Sequence, residues 1–313
     1  MKKLLYLPLK IEGGAAEQVY LEKAFRKEFI IEVFDFLNYR GKRDSRFSEL
    51  VENFHPDIIH CQFQGTKYID PTLLAIVKLR YPKVVISQWT GDVREQPIAE
   101  VLEYGKYCDI TFVNSVDDIK KYQQAGLRDV RLMFNAADAK AQKGKLSAKP
   151  QGIVFCGARY NSFSGSWTRI ALVERFHQEF KEGFSVFGSG WPFGQGILPW
   201  EKQTEVYQNS YLILGHNNIE TLEGWFSDRV FIAMASGRPF LCQYSRNLEK
   251  YFVDMREMVY WHTIDEAVEK AKWLLVNSIE ARKIGKTGKQ KVLAEHNWDV
   301  RVKEFIKHWE DYQ

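Results

Sequence analysis

SDRVFIAMASGRPFLC, Ser227–Cys242, reads as a short helix that stops at a glycine, turns through a proline and enters an apolar strand. Ser227 suits an N-cap, and Asp228 at the first helical position suits the positive end of the helix dipole. VFIAMA offers small and flexible apolar side chains that pack closely on a sheet. Gly237 can take the left-handed conformation that ends a helix, and Pro239 prevents its continuation. Such a unit holds a helix N-terminus at the mouth of a parallel sheet, where ligands bind and phosphates are attracted. Plain packing of a helix on a sheet accounts for the same letters.

Working outward, the first half of the chain alternates. KKLLYLPL is a strand, followed by Gly13-Gly14 and the amphipathic AAEQVYLEKAFRKE. IIEVFDFL, DIIHCQF, KVVISQW, DITFVNS and DVRLMFN are further strands; FSELVENF, PTLLAIVKLR and VDDIKKYQQAG read as helices between them. ADAKAQKGKLSAKPQ then breaks the pattern: it carries four lysines and no apolar face, the composition of a linker. The alternation restarts with GIVFCG, WTRIALVERFHQEF, GFSVFG, YLILG, the Ser227–Cys242 unit, MVYWH and IDEAVEKAKWLLVN, and closes with two helices broken near Asn297. Strands alternating with helices predict α/β architecture, here two Rossmann-like domains. The expected bounds are 1–145, 146–296 and a terminal helix, 297–313.

Composition agrees with a soluble globular chain of 313 residues, 45% apolar and 27% charged. The four cysteines, Cys61, Cys108, Cys156 and Cys242, form no C-x-x-C pair, which argues against a zinc site or a disulfide framework and for a reducing compartment. The apolar start is too short for a signal peptide and is interrupted by Pro8; no run reaches the length of a membrane span. A cytoplasmic protein is expected. Net charge is +4, and the excess lies in residues 1–150, with 24 basic against 20 acidic residues. Aromatics reach 14%, with nine Trp; such rings fill cores and also stack on sugars and bases.

Several stretches, in order, resemble the GT-B glycosyltransferases, in particular their group-1-like branch. SDRVFIAMASGRPFL is similar to their nucleotide-sugar segment, EGGAAEQVYLEKAF to their N-terminal glycine loop and helix, and FHPDIIHCQ to a strand ending in His. CDITFVNSVDDIKKYQQAGLRDVRLMFNAAD, GIVFCGAR, FSVFGSGWP and AEHNWDVRVKEFI follow with matching spacing, the last resembling the helix that crosses back onto the first domain. The resemblance implies two Rossmann-like domains facing across a cleft, and transfer of a sugar from a nucleotide-sugar, with UDP as the expected nucleotide. One departure is plain: where the group-1 pattern has a Glu that holds the ribose hydroxyls, this chain has Ile232. Glu223 is the nearest acid that can take its place, with Glu220 behind it.

The resemblance implies roles for particular residues. Glycosyl transfer needs the departing diphosphate neutralised as the sugar bond breaks. GT-B enzymes do this without a required metal or cofactor, the nucleotide-sugar being a co-substrate. Arg159 matches the basic position used for phosphate, and its guanidinium suits bidentate contact. Arg229, in the first turn of the 228–236 helix, opposes the dipole there and so invites a functional reading. Gly188, Ser189 and Gly190 let backbone approach the base; Gly13 and Gly14 bring amides toward the diphosphate; Asn217, Asn218 and Glu220 lie where the donor sugar is contacted, beside Ser227 and Asp228. Asp92 is the expected general base if the reaction inverts, and His60 a second cleft residue. Each has a plainer reading as a turn glycine, a loop polar residue or a backbone-bonded histidine.

Arg40, Lys42, Arg43 and Arg46 crowd one loop of the first domain and are the expected acceptor-side cations. A saccharide or lipid-linked glycan is the expected acceptor, with peripheral contact to a membrane surface. Hydroxymethylated bases of duplex DNA are the alternative, since such a cluster can follow a phosphate backbone. Two further readings share the fold: a nucleotide-sugar epimerase and a non-catalytic binding relative.

Overall fold

The computed structural model describes residues 1–10, 17–64, 68–140, 146–219 and 222–312. Two compact units emerge: Met1–Phe134 with Trp298–Gln313, and Asn135–Asn297. The division after Phe134 falls earlier than the expected 145. The reason is local: Ala137 donates its N–H to the His296 carbonyl, and Ser147 and Gln151 donate theirs to the carbonyls of Gln208 and Asn209. The lysine-rich stretch is therefore tied at both ends to the second unit.

The first unit runs β1 (Lys3–Leu7), α1 (Glu17–Glu28), β2 (Ile30–Val33), α2 (Arg43–Phe54), β3 (Ile58–Cys61), α3 (Thr72–Arg80), β4 (Val85–Thr90), α4 (Ala99–Gly105), β5 (Ile110–Val113), α5 (Val116–Gln124) and β6 (Val130–Leu132). Its sheet is parallel throughout in the order β2-β1-β3-β4-β5-β6. β1, β3, β4 and β5 are buried almost residue for residue, as parallel strands covered on both faces must be. Polar letters inside β4 are bonded: Gln88 Nε2 donates to the Val101 carbonyl at 2.8 Å and to Thr111 Oγ1 at 3.0 Å.

The second unit runs β7 (Ile153–Cys156), α6 (Ser166–Phe180), β8 (Phe184–Phe187), α7 (Trp200–Asn209), β9 (Leu212–Gly215), α8 (Asp228–Ser236), β10 (Phe240–Gln243), β11 (Val259–Trp261), α9 (Ile264–Val276) and α10 (Ser278–Glu295). Its sheet is also parallel, in the order β11-β10-β9-β7-β8. The chain moves from β7 to β8 on one side, then returns to β9 on the other. The carboxyl ends of β7 and β9 therefore flank a topological switch point, where a crevice opens for ligands.

The last helix, α11 (Trp298–Glu310), belongs to the first unit and packs on α1. Phe305 stacks edge-on against Phe25, Phe29 and the His60 ring, at centroid separations of 5.3, 6.2 and 4.9 Å. This is the returning C-terminal helix that the sequence suggested. Helices α4 and α7 were not read from the sequence. α4 spans seven residues, and α7 buries only Tyr207 and Gln208, so neither shows a clear apolar stripe.

Candidate functional site

Two guanidinium groups meet at the carboxyl ends of β7 and β9. α6 places its apolar stripe, Ile170, Val173 and Phe176, on the core, and Arg169 lies in phase with it at 2% exposure. From there Arg169 bridges the switch point. Its Nη1 donates to the Ala158 carbonyl, after β7, at 3.2 Å; its Nη2 donates to the His216 carbonyl, after β9, at 2.9 Å. Its Nε lies 3.4 Å from His216 Nδ1. Arg229 reaches the same place from the first turn of α8, with Nη1 3.5 Å from the His216 carbonyl. Both guanidiniums sit over the Phe155 ring, at 5.8 and 6.0 Å from its centroid. The Nε of Arg229 is buried without a hydrogen-bond partner among the described residues.

Two cations share this space, and among the described residues neither forms an ion pair; nor does Arg159. Burial, and then the nearby Arg229, push the pKa of Arg169 down to about 9. Burying a guanidinium beside another without a carboxylate is costly, and an anion in the crevice relieves the cost.

Arg159 is held at this edge by the loops after β7 and β8. Its N–H donates to the Ser189 carbonyl at 2.9 Å, Gly157 N donates to the Phe187 carbonyl at 2.7 Å, and Trp191 Nε1 donates to the Gly157 carbonyl at 2.8 Å. The approach is close enough to require glycine at 188: φ is +138°, and a Cβ there would lie 2.2 Å from the Gly157 carbonyl oxygen. Gly190, at φ +84°, faces Arg159 in the same way. The structure places Gly188, Ser189 and Gly190 against Gly157 and Arg159, and Arg229 Nη2 lies beside Gly157. Arg169 was missed, although an arginine in register with Ile170, Val173 and Phe176 was a visible signal.

Other expected donor residues stand as follows. Asn217 is buried at 3% exposure; Asn218 accepts from Gly165 N at 2.8 Å, while its side-chain Oδ1 is buried without a partner among the described residues. Ser227 occupies the N-cap position of α8 but makes no side-chain cap; Asp228 Oδ1 instead accepts from Arg229 N at 2.8 Å. Gly13, Gly14 and Glu220 lie outside the described residues. Ile232 is buried within α8, and Trp225 is 7% exposed, packed rather than presented as a stacking face.

Glu223 does not stand open to a ribose. Its Oε1 accepts from Asn247 Nδ2 at 2.5 Å and pairs with Lys250 at 3.3 Å, while Arg246 lies 3.6 Å from Oε2. The Asn247 bond and these cations hold its carboxyl below the usual range.

In the first unit, Asp92 follows β4, half-exposed, and pairs with Arg94 at 3.0 Å. Thr90 Oγ1 donates to the Asp92 carbonyl at 3.1 Å, and Asn114 Nδ2 donates to the Gly91 carbonyl at 3.0 Å, which fix the loop. His60 corrects an expectation. It is fully buried, bonded through Nδ1 to Ser87 Oγ at 2.9 Å and enclosed by Tyr6, Phe25, Phe112 and Phe305, and burial lowers its pKa to about 3. A neutral imidazole in an aromatic cage cannot meet substrate. The expected basic loop also divides: Arg43 and Arg46 belong to α2, and Arg40 and Lys42 precede it. Arg43 donates to the carbonyls of Phe36 and Leu37 and lies over Tyr68, and Arg46 pairs with Glu49 at 2.9 Å, which leaves Arg40 and Lys42 exposed without ion pairs among the described residues.

Among the described residues no cluster of three His, Cys, Asp or Glu side chains could hold a metal ion, and no helix is long and apolar enough to cross a membrane. The four cysteines are free thiols.

Comparison with known proteins follows the geometry. Residues 169–307 match the glycosyl transferase-like family. No curated protein matches by sequence. Among solved structures, an α-glucosyltransferase in complex with UDP-glucose and DNA containing an abasic site is similar over 99% of both chains, with a TM-score of 0.71 at 11% identity. Anabaena Alr3699/HepE in complex with UDP-glucose is similar over 99% of this chain and 100% of its own, with a TM-score of 0.66 at 10% identity. Sucrose-phosphate synthase from Thermosynechococcus elongatus is similar over 99% of both chains, at 0.62 and 12%. These likenesses extend over both units and show the GT-B fold.

Proposed function

We propose that this chain, whose residues 169–307 match the glycosyl transferase-like family and whose fold is GT-B, transfers a hexosyl group from a UDP-sugar to a hydroxyl of a saccharide or lipid-linked glycan. The observation that carries this reading is the meeting of Arg169 and Arg229 at the carboxyl ends of β7 and β9, next to the loop that carries Arg159, with no ion pair to either among the described residues. A pyrophosphate is the anion that fits three guanidiniums, which hold phosphate oxygens through paired N–H groups. UDP-glucose is also the ligand of two of the similar structures.

In this reading the uracil and ribose lie along the Gly188–Gly190 turn, and the diphosphate rests on the arginines. As the glycosidic bond lengthens, negative charge grows on the β-phosphate oxygen, and a preorganised cation stabilises that charge more than it stabilises bound substrate. The N-terminus of α8 adds its positive dipole end at the same place. Asp92 is the proposed base on the acceptor side, where it is held by its pair with Arg94.

A DNA acceptor is the second reading, favoured by the α-glucosyltransferase solved with DNA and by the exposed Arg40 and Lys42. Charge weighs against it. Of the 24 basic residues before position 151, Lys140, Lys143, Lys145 and Lys149 belong to the linker, and the remaining 20 only balance the 20 acidic ones.

The test is a donor and acceptor panel. Unfolding is followed with UDP-, GDP- and dTDP-sugars, and the stabilising donor is then incubated with glycans, lipid-linked glycans and hydroxymethylated duplex DNA. UDP-sugar protection with turnover on a glycan supports the proposal; protection by GDP- or dTDP-sugars alone, or turnover only on DNA, rejects it.

A further inference from the structure

At the opposite, amino-terminal edge of the second sheet lies a separate cavity of about 590 Å³, within the usual size range of small-molecule sites. It is bordered by the starts of β9 and β10, by the end of the linker and by the first turn of α10. Leu146, Pro150, Pro239 and Leu274 supply apolar walls, and Tyr211, partly exposed, supplies a ring. None of these residues belongs to the crevice after β7 and β9.

Two cations line it. Arg238 is 5% exposed, yet its partners are neutral: Nε and Nη2 donate to the Gln208 carbonyl at 3.0 and 2.7 Å, and Nη2 also donates to the Ser147 carbonyl at 2.8 Å. These bonds clasp the linker to the end of α7, which explains why an arginine stands there. They do not use Nη1, which has no hydrogen bond among the described residues. Arg282 lines the same cavity, its Nε bonded to the Ser278 carbonyl at 3.1 Å. Among the described residues neither arginine forms an ion pair. Burial lowers the pKa of Arg238, with a smaller contribution from Arg282, so an anion in the cavity would favour the Arg238 charge.

We propose that this cavity is a second ligand site, for a small organic phosphate. The phosphate seats between Arg238 Nη1 and the Arg282 guanidinium, and the body of the ligand rests on Leu146, Pro150 and Leu274. Arginine forks suit phosphate oxygens, and an apolar wall beside them selects an organic ester over the bare ion.

The experiment is calorimetric titration with phenyl phosphate, AMP and inorganic phosphate on the wild-type chain, Arg282→Glu and the donor-crevice variant Arg229→Met. Because Arg238 also clasps the linker, the reversal is placed at Arg282, on the surface of α10. The expected result is saturable binding of phenyl phosphate or AMP below about 1 mM, weakened at least tenfold in Arg282→Glu and unchanged in Arg229→Met. The proposal is overturned if no organic phosphate binds, if inorganic phosphate binds as tightly, or if Arg282→Glu leaves binding intact. Loss of binding in Arg229→Met also overturns it, because the ligand is then in the donor crevice. Binding is read without turnover, so failure here leaves the transferase reading standing.

Discussion

Replacing Arg229 by Met separates a ligand-binding cation from a structural one. In the folded protein its guanidinium makes one long contact, 3.5 Å to the His216 carbonyl, and its Nε has no partner among the described residues. Methionine keeps much of the apolar stem, gives up the guanidinium contact with Phe155 and removes the repulsion felt by Arg169. The unliganded protein is therefore expected to change in stability by no more than about 1 kcal/mol. A charge-assisted bond to a phosphate contributes roughly 1.5–3 kcal/mol, so the Kd for UDP should rise about 10- to 150-fold. At a UDP concentration of about 100 wild-type Kd, ligand stabilisation of about 2.7 kcal/mol should fall to roughly 0.3–1.4 kcal/mol. Calorimetric titration with UDP and denaturant unfolding without it measure the two quantities. An unchanged Kd, or a loss above about 3 kcal/mol in the unliganded protein, refutes the reasoning.

Gly188→Ala should cost at least about 2 kcal/mol, because φ is +138° and the new Cβ meets the Gly157 carbonyl; Gly196→Ala, at φ +80° with open space around it, should cost about 1 kcal/mol, and urea unfolding compares them. His60 supplies a pH dependence: its folded pKa is depressed to about 3 from 6.5, so the unfolded chain takes up a proton first, and stability present above pH 6.5 is lost as pH falls toward 3. The slope approaches about 1.4 kcal/mol per pH unit, so unfolding curves at pH 7 and 5 should lose roughly 2 kcal/mol more in the wild type than in His60→Phe. Arg43→Ala should destabilise the first unit by about 2 kcal/mol through the lost bonds to Phe36 and Leu37. Arg40→Ala with Lys42→Ala should stay within about 0.5 kcal/mol in thermal unfolding.

Much of the fold was written locally. The Ser227–Cys242 stretch forms α8, capped by Gly237 at φ +89°, and enters β10 as its letters suggest. Short, mostly apolar strands of three to six residues between amphipathic runs pointed to the parallel sheets, since the period carries the information. What escaped was set by distant contacts. The linker's second half reads as polar chain, yet Arg238 grips it through the Ser147 carbonyl, ninety-one residues away, so the unit boundary moves. Arg43 reads as one of four loop cations, but carbonyls of its own loop have captured it. His60 sits in an apolar strand, and the rings that enclose it, among them Phe305 on the returning α11, come from distant parts of the chain. At the carboxyl ends of β7 and β9, Arg159, Arg229 and the glycine turn could be named from the sequence, whereas Arg169 required reading a charge on the buried face of a helix as a signal.

The most direct measurement is a crystal structure of the protein grown with UDP. The account predicts the diphosphate after β7 and β9, with its oxygens within about 3 Å of guanidinium nitrogens from at least two of Arg159, Arg169 and Arg229. UDP seated elsewhere, or its phosphates facing none of these side chains, would contradict it.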